Sequence, residues 1–385
     1  MRSTLLSSAA LLGAALSLLP GCQAHTASGP SPSTPMSQPD TQGSWRNARV
    51  GDRVTYAFSS TFGGGRLGGP MKTLAGRLTL EVVAVQQPWV WLRAAYTDEA
   101  GRPLPQPRLS QELLVPVRAD GTRTLEVSRE GQSSAERPSL AGRTWEATQY
   151  VNDARPVDGP LQRRLYANTP GALYLTEGLL EASTTLSGFG GAGGSQLTLV
   201  EYRQGTGEAS PAAPTLERPL GPGAYYDRHV DVGGEPSVQR TCFAAERGFV
   251  LRTDRPATEG GAPCADFSEA EPQPLAEVLL SLVFEALSTT EGAPATAARG
   301  TSEVGGRSVP TLTAERTEEV EGTRRIHTTT WAADPWSPAL AGLPVEARFQ
   351  PLAEHSARVG PGGQRQPEGG TRLVQWGVWV PGGSR

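Results

Sequence analysis

Apolar and polar residues alternate along most of the chain, and this two-residue period predicts β-strands. The segment DRVTYAFSS (52–60) shows it clearly, because Val54, Tyr56 and Phe58 fall on one face of an extended chain. Other alternating or short apolar segments, which also predict strands, lie at 76–85, 88–96, 112–128, 163–168, 172–177, 196–202, 239–245, 248–253, 324–331 and 372–380. The pattern therefore predicts a mainly β protein.

One segment has a helical period instead. In PLAEVLLSLVFEALS (274–288), Pro274 suits the first turn of a helix, and polar residues recur only at Glu277, Ser281 and Glu285. A helix with such a narrow polar stripe is expected to be buried, either in a core or against a curved sheet. It is too short to span a bilayer, which needs about 20 residues.

Several segments of the first half resemble segments of the second half in the same order, at a spacing of about 160 residues that rises to about 175 for the last pair. The pairs are WVWLRAAY (89–96) with FVLRTD (249–254), which aligns Arg93 with Arg252; AGRTWEAT (141–148) with GGRSVPTLT (305–313); QRRLYANT (162–169) with TRRIHTTT (323–330); EGLLEAS (177–183) with AGLPVEAR (341–348); and GSQLTLVEY (194–202) with GTRLVQWGV (370–378). A competing match of 162–176 with 239–253 fits a common hairpin pattern. The collinear order favours a tandem duplication.

The repeats predict two related antiparallel β-sheet domains, of the curved-sheet or half-barrel type. We expect the first at 45–207, a Pro-rich linker at 208–222, and the second at 223–385 with the buried helix at 274–288. A chain of 385 residues is long enough for two ordinary domains. Its 46 Gly and 33 Pro indicate many turns.

The N-terminus has the features of an export signal. Arg2 supplies a positive charge, an uncharged apolar run follows, and Leu19-Pro20-Gly21-Cys22 closes it. This resembles the lipobox of bacterial lipoproteins, which implies a signal peptide at 1–21 and a lipidated Cys22. The alternative is an ordinary cleaved signal peptide with a chance cysteine. The resemblance further implies the outer membrane, because Gln23 is not the Asp that retains lipoproteins at the inner membrane.

The residues after the anchor read as a tether. Residues 22–44 are rich in Pro, Ser and Thr, and such a segment buries too little apolar surface to offset its ordering entropy. Further on, VGDRVTYAFS and GRLTLEVVAV resemble the first strands of uncharacterised Gram-negative lipoproteins of unknown function, over roughly residues 49–130. That resemblance implies a curved antiparallel sheet and no known activity.

Charge and cysteine content narrow the function classes. The net charge is −4, and arginines are interspersed with acidic residues rather than gathered in a stripe, which argues against nucleic-acid binding. With Cys22 carrying lipid, Cys242 and Cys264 form an even pair, and export favours a disulfide between them. Two free thiols or a metal site are the alternatives.

Chemical motifs are scarce. The stretches GGGRLG (63–68) and GFGGAG (188–193) match a dinucleotide-binding pattern, but strands follow them, so both read as hairpin loops and no cofactor is expected. In YYDRHVD, Asp227, His229 and Asp231 share one face of a strand and form a weak candidate metal set. The alternative for these three residues is a solvated polar face. No residue stands out as a nucleophile, so an enzyme is not the expected class.

Taken together, the sequence favours a lipid-anchored envelope protein that acts as a non-enzymatic binding or scaffolding module. Its partners would be the membrane, through the anchor, and an envelope protein, lipid or glycan. One alternative is a carrier that holds an apolar ligand in an open β-barrel. A second alternative is a hydrolase or metal enzyme of the envelope.

We predict that Cys22→Ser abolishes fatty-acid labelling and moves the protein from the membrane to the soluble fraction, because no thiol remains to take the acyl chains. Radiolabelled palmitate incorporation and cell fractionation measure both effects. Cys242→Ser is the matched control and should keep the label. Full labelling of Cys22→Ser would contradict the assignment of the anchor.

Overall fold

The computed structural model describes residues 42–63, 70–155, 159–188, 191–208, 223–232, 236–257, 264, 267–288, 293–294, 296–320 and 322–379. The expected signal peptide, Cys22 and nearly all of the expected tether lie outside the described residues. Residues 209–222 of the expected linker also lie outside them, as do 64–69 of the first glycine-rich motif and 189–190 of the second.

Strands make up most of the described chain, so the prediction of a mainly β protein is confirmed. The strands of the first half are β1 Arg53–Gly63, β2 Lys72–Gln86, β3 Trp89–Thr97, β4 Leu113–Arg118, β5 Gln132–Glu136, β6 Ser139–Leu140, β7 Arg143–Thr144, β8 Ala147–Asp153, β9 Leu161–Ala167, β10 Leu179–Gly188 and β11 Gly191–Arg203. Those of the second half are β12 Gly223–Val232, β13 Ser237–Glu246, β14 Phe249–Pro256, β15 Pro272–Pro274, β16 Ala298–Val304, β17 Arg307–Val320, β18 Thr323–Ala332, β19 Ala353–Val359 and β20 Arg365–Trp379.

Helices are few. The α-helices are α1 Gln42–Arg46, α2 Leu275–Ser288 and α3 Val345–Arg348, and short 3-10 turns lie at Pro107–Leu109, Gly171–Thr176 and Pro338–Leu340. The helix expected at 274–288 is therefore confirmed as α2. None of the helices in the described chain has the length and apolar character that a membrane span needs.

The strands of each half pair in the same spatial order. In the first half the order is β4-β3-β2-β1-β11-β10-β9-β8-β5, and in the second half it is β15-β14-β13-β12-β20-β19-β18-β17-β16. All these pairings are antiparallel, and β6 and β7 form a separate small hairpin. One parallel bridge between Arg118 and Glu246 joins the halves into an 18-stranded sheet, which does not close into a barrel among the described strands.

Local irregularities recur at matching places. A bulge shifts the register between Thr55 and Tyr56 where β1 meets β11, and another does so between Asp227 and Arg228 where β12 meets β20. Residues 141–142 and 305–306, which the sequence repeats align, both have positive φ. Bulges and left-handed turns at the same topological positions support the tandem duplication inferred from the sequence.

Two of the aligned sequence pairs need correction. Segment 177–183 leads into β10, whereas 341–348 contains α3 and ends before β19. The connection before β19 (333–352) is longer than the one before β10 (168–178), which also explains the larger spacing of the last repeat. Counted from the matching hairpin ends at Trp89 and Phe249, Arg252 corresponds to Leu92 and not to Arg93.

Helix α2 comes from the second half but covers the sheet of the first half. It packs against β1, β2 and β11, and Phe284 meets Phe62 edge-on with ring centroids 5.5 Å apart. Most of its apolar side chains are buried, and Val283 has no solvent exposure at all. The core around α2 draws residues from both halves, so the two halves share it.

The polar stripe of α2 does not face open solvent but meets charged partners. Arg164 of β9 donates from Nε and Nη2 to the two carboxylate oxygens of Glu277, at 2.6 Å each. Arg108 forms an ion pair with Glu285, and the Tyr96 hydroxyl donates to the Leu279 carbonyl at 2.7 Å. These contacts fix the rotation of α2 about its axis, because only one face matches the arginines.

The expected disulfide between Cys242 and Cys264 is present, with Cα atoms 5.8 Å apart. Both cysteines are buried and pack with the side chains of Tyr225, Ala244 and Phe267. The bond ties Cys264 to β13. The division into two domains stays a prediction, since the linker is not described and Pro39–Arg385 forms one compact unit.

We predict that Leu279→Ala lowers the free energy of unfolding by about 2–5 kcal/mol, because it leaves a cavity between α2 and the first sheet. Urea unfolding of the chain with Cys22→Ser, followed by tryptophan fluorescence, measures the change. The matched control is Val320→Ala, at a side chain that is 38% exposed, which should stay within about 0.5 kcal/mol. Equal losses in the two variants would argue against a buried α2.

Candidate functional site

The two halves carry different side chains at matching positions of their sheets. The pairing registers show which residues occupy equivalent positions on neighbouring strands. One row across three strands of the first half, Val54, Leu80 and Ala94, corresponds to Tyr226, Thr241 and Asp254 of the second half. A second row, Tyr56, Leu78 and Tyr96, corresponds to Arg228, Gln239 and Pro256. A third row aligns Val82 and Leu92 with Phe243 and Arg252. We call the face that carries these positions the inner face of each half.

The inner face of the first half is apolar and is covered by α2. In the second half the equivalent of Leu92 is an arginine, the equivalent of Tyr56 is another arginine, and the equivalent of Ala94 is Asp254. A polar group inside a sheet is costly unless it has partners, so these substitutions need a physical reason. They make the inner face of the second half the candidate functional site.

Tyr226, Arg252 and Glu346 meet at the centre of this face. Helix α3 positions Glu346 over the sheet, where the Tyr226 hydroxyl donates to its Oε1 at 3.3 Å. Arg252 places Nη1 3.7 Å from the same oxygen, and its Nε and Nη2 lie 3.2 and 3.5 Å from the Asp254 carboxylate. The Arg252 side chain is 39% exposed, so the site opens to solvent.

Arg228 lies beside this group. Its Nη1 donates to the Pro351 carbonyl at 3.0 Å, and its Nη2 donates to Oε1 of Gln350 at 3.1 Å. Its guanidinium carbon is 5.7 Å from the centroid of the Tyr226 ring, within reach of a cation–π interaction. Arg252 makes a similar contact with Phe243, at 5.9 Å.

A second carboxylate approaches from α2. Glu285 pairs with Arg108 and also acts electrostatically on Arg252 and Glu346. Arg108 in turn stacks over the Phe349 ring at 4.8 Å. The end of the helix that covers the first half therefore borders the inner face of the second half.

Burial dominates the titration behaviour of the acids here. It raises the pKa of Glu346, an effect that Arg252 opposes and Glu285 reinforces. Burial also raises the pKa of Glu285, against the influence of Arg108. Both carboxyls therefore hold a proton at a higher pH than an exposed glutamate does.

The arginines respond in opposite directions. Burial lowers the pKa of Arg228, and the opposing effects of Tyr226, Glu354 and Glu346 offset this only in part. For Arg252, burial lowers the pKa, but Glu346 and Asp254 outweigh that effect and the net shift is upward. With cationic, acidic and hydroxyl groups on one accessible face, the site can recognise a polar ligand by directed hydrogen bonds.

The residues singled out from the sequence do not form a site. Asp227 is buried and accepts hydrogen bonds from Arg240 Nε and Nη2, at 2.7 and 2.8 Å, and from Gln375 Nε2 at 2.6 Å. His229 is half-buried and Asp231 is exposed. The candidate metal set is therefore not supported, because Asp227 is committed to a structural ion pair.

Metal binding also lacks other candidates in the part of the chain that the structure describes. No group of three or more His, Cys, Asp or Glu side chains there is arranged to hold a metal ion. The two buried cysteines are joined to each other and offer no thiolate.

Sequence reasoning missed Tyr226, Arg228, Arg252 and Glu346. Tyr226 and Arg228 lie on the opposite face of the strand from the candidate metal residues, and the repeat comparison aligned Arg252 one residue off. The signal that could have found them was the comparison of the repeats, since an arginine at the position of a buried leucine stands out once the register is known.

The protein is mainly β and consists of two halves with the same strand order. The chain belongs to a family of unknown function, DUF6068, whose sequence model matches residues 2–384. A search of curated proteins found no significant match.

Comparison with solved structures gives only weak likenesses. The chain is similar to a protein of unknown function of the DUF3598 family from Nostoc punctiforme, at 10% identity and a TM-score of 0.16, with 88% of this chain and 100% of the other covered. It is also similar to kievitone hydratase from Nectria haematococca, at 10% identity and a TM-score of 0.12, with 83% and 88% covered. Neither similarity carries an argument about fold or function.

We predict that the free energy of unfolding of the protein, taken relative to that of the Glu346→Gln variant, falls as the pH rises from about 4.5. The folded pKa of Glu346 is raised, so the folded state holds the proton longer than the unfolded state does. Its stabilising effect is thus complete below the unfolded pKa and is lost as the pH passes the folded pKa. Urea unfolding of both proteins between pH 4 and 8 measures the difference.

Glu315→Gln is the matched control, for which the pH dependence of the stability difference should have the opposite sign. A hydrogen bond from Arg365 lowers the pKa of the exposed Glu315, so its small contribution is present above about pH 4.5 and is lost at lower pH. A flat difference between the protein and Glu346→Gln across the pH range would show that burial does not control this carboxyl.

Proposed function

We propose that this protein is a lipid-anchored protein of the bacterial envelope whose folded part is a non-enzymatic binding module. The single observation that carries the binding role is the exposure of Arg252 and Asp254 on the inner face of the second half, at positions where the first half has the buried Leu92 and Ala94. The anchor at Cys22 and the placement at the outer membrane rest on the N-terminal sequence.

The first alternative, a carrier of an apolar ligand, is less well supported. A carrier needs an unfilled apolar cavity, but α2 packs its own side chains against the inner face of the first half. The inner face of the second half is lined in part by arginines and acids, which do not suit an acyl chain.

The second alternative, a hydrolase or metal enzyme, rested on Asp227, His229 and Asp231. These residues do not converge in a cleft, since Asp227 is buried in an ion pair while Asp231 is exposed. The arrangement at Glu346 gives no nucleophile aligned with a base, so we retain binding as the proposed activity.

We predict that the protein, purified gently from the periplasm with Cys22→Ser, retains a polar small molecule or glycan fragment at the second inner face. Native mass spectrometry measures the mass that it releases. Arg252→Leu, which restores the residue type of the first half, should lose that mass, whereas Leu92→Ile should keep it. A released lipid would instead favour the carrier, and a bare protein in every preparation would favour a scaffold for macromolecules.

A further inference from the structure

We propose that the inner face of the second half binds an anionic oxygen group, a carboxylate or a phosphate, between Arg228 and Arg252. This inference rests on the proposed binding function and specifies the ligand chemistry of the same face. It follows from the partners of the two arginines, their exposure and the aromatic rings beneath them.

Within the described residues, no carboxylate forms an ion pair with Arg228. Among the described residues its hydrogen bonds go to neutral acceptors, the Pro351 carbonyl and the Gln350 side-chain amide. Glu354 and Glu346 act on it only at longer distance. Buried cations in proteins are normally paired with an anion, so the Arg228 guanidinium is suited to bind the anionic group of a ligand.

Other buried arginines of the same protein show the contrast. Arg240 holds Asp227 through two bonds of 2.7 and 2.8 Å, and Arg164 holds Glu277 through two bonds of 2.6 Å. Those pairs are two-pronged and short, as structural ion pairs are. Arg228 makes no such pair within the described chain, although it lies in an equally ordered strand.

Arg252 is held loosely enough to join a ligand. Its contacts with Glu346 and Asp254 are 3.2–3.7 Å long and are spread over two carboxylates. Its side chain is 39% exposed, so a dissolved anion reaches it without displacing the sheet. A guanidinium presents planar donors that match carboxylate or phosphate oxygens in pairs.

Aromatic rings keep both guanidiniums over the face. Arg228 lies above Tyr226 and Arg252 lies above Phe243, at 5.7 and 5.9 Å from the ring centroids. The Tyr226 hydroxyl, which now donates to Glu346, lies within the electrostatic influence of both arginines and can donate to a bound oxygen instead. Restrained donors lose less entropy on binding than free ones.

Neighbouring acids limit the charge of the ligand. Asp254, Glu285, Glu346 and Glu354 all surround the arginines. This acidic border repels polyanions, so the site suits a single anionic group on an otherwise neutral molecule. Glu346 competes with that group for Arg252, and its removal should strengthen binding.

The test is calorimetric titration of the full mature chain, with Cys22→Ser, against three probes at constant ionic strength. Inorganic phosphate represents a free phosphate, dimethyl phosphate represents the diester of a lipid headgroup, and acetate represents a carboxylate. We expect saturable binding of at least one probe, and the probe that binds most tightly identifies the chemical class of the ligand. Arg228→Gln should weaken that binding about tenfold, and Glu346→Gln should strengthen it several-fold.

Arg316→Gln, at a side chain that is 80% exposed, is the matched control and should bind as the unaltered protein does. If Arg228→Gln fails to fold, Arg252→Gln tests the expected loss of anion binding, and Glu346→Gln tests the expected gain. Absence of saturable binding, or equal losses in Arg228→Gln and Arg316→Gln, would overturn the inference. A neutral ligand found by native mass spectrometry would overturn it as well, yet would leave the proposed binding function standing.

Discussion

The packing of α2 against the sheet of the first half is the interaction on which the rest of the structure depends. That sheet has an apolar inner face, and within the described chain a helix from the second half covers it. Because the cover comes from 113 residues further along the chain, as the pair of Arg164 with Glu277 shows, the first half does not complete its core alone. The ion pairs at Glu277 and Glu285 then fix the helix to its position.

The same arrangement explains why the two inner faces differ. The connection that forms α2 in the second half leaves that half and packs elsewhere, so the segment around α3 covers the inner face there; it buries Tyr226 in a separate apolar cluster but leaves Arg252 39% exposed. Apolar residues at the positions of Arg252 and Asp254 would be exposed to water at a cost of about 25 cal/mol per Å². Arg252 and Asp254 avoid that cost, and their loose pairing leaves them suited to recognition.

The sequence predicted the elements better than their arrangement. Alternation along β1 and the helical period of α2 are local signals, and they were sufficient for the class and for the one long helix. The disulfide followed from the even pair of cysteines that remains once Cys22 is assigned to the lipid anchor. The strand order depends on pairing between distant segments, which periodicity does not encode, although the repeats indicated that both halves would share it.

The candidate site was missed for a more specific reason. A shift of one residue moves a side chain to the other face of a strand, so aligning Arg252 with Arg93 instead of Leu92 hid its position on the inner face. Likewise, Asp227 looked chemically interesting, while its neighbours Tyr226 and Arg228 carried the accessible polar groups. Local composition shows which residues are polar, but the register decides which of them meet.

The late position of α2 also has a consequence for biogenesis. A ribosome makes about 5–20 residues per second, so several seconds separate the completion of β11 from that of α2. A chain that crosses the membrane from its N-terminus, as the proposed export signal requires, also delivers the first sheet before its cover, and the sheet then presents apolar side chains to any other chain nearby. A chaperone that shields this intermediate would therefore raise the yield of the folded protein.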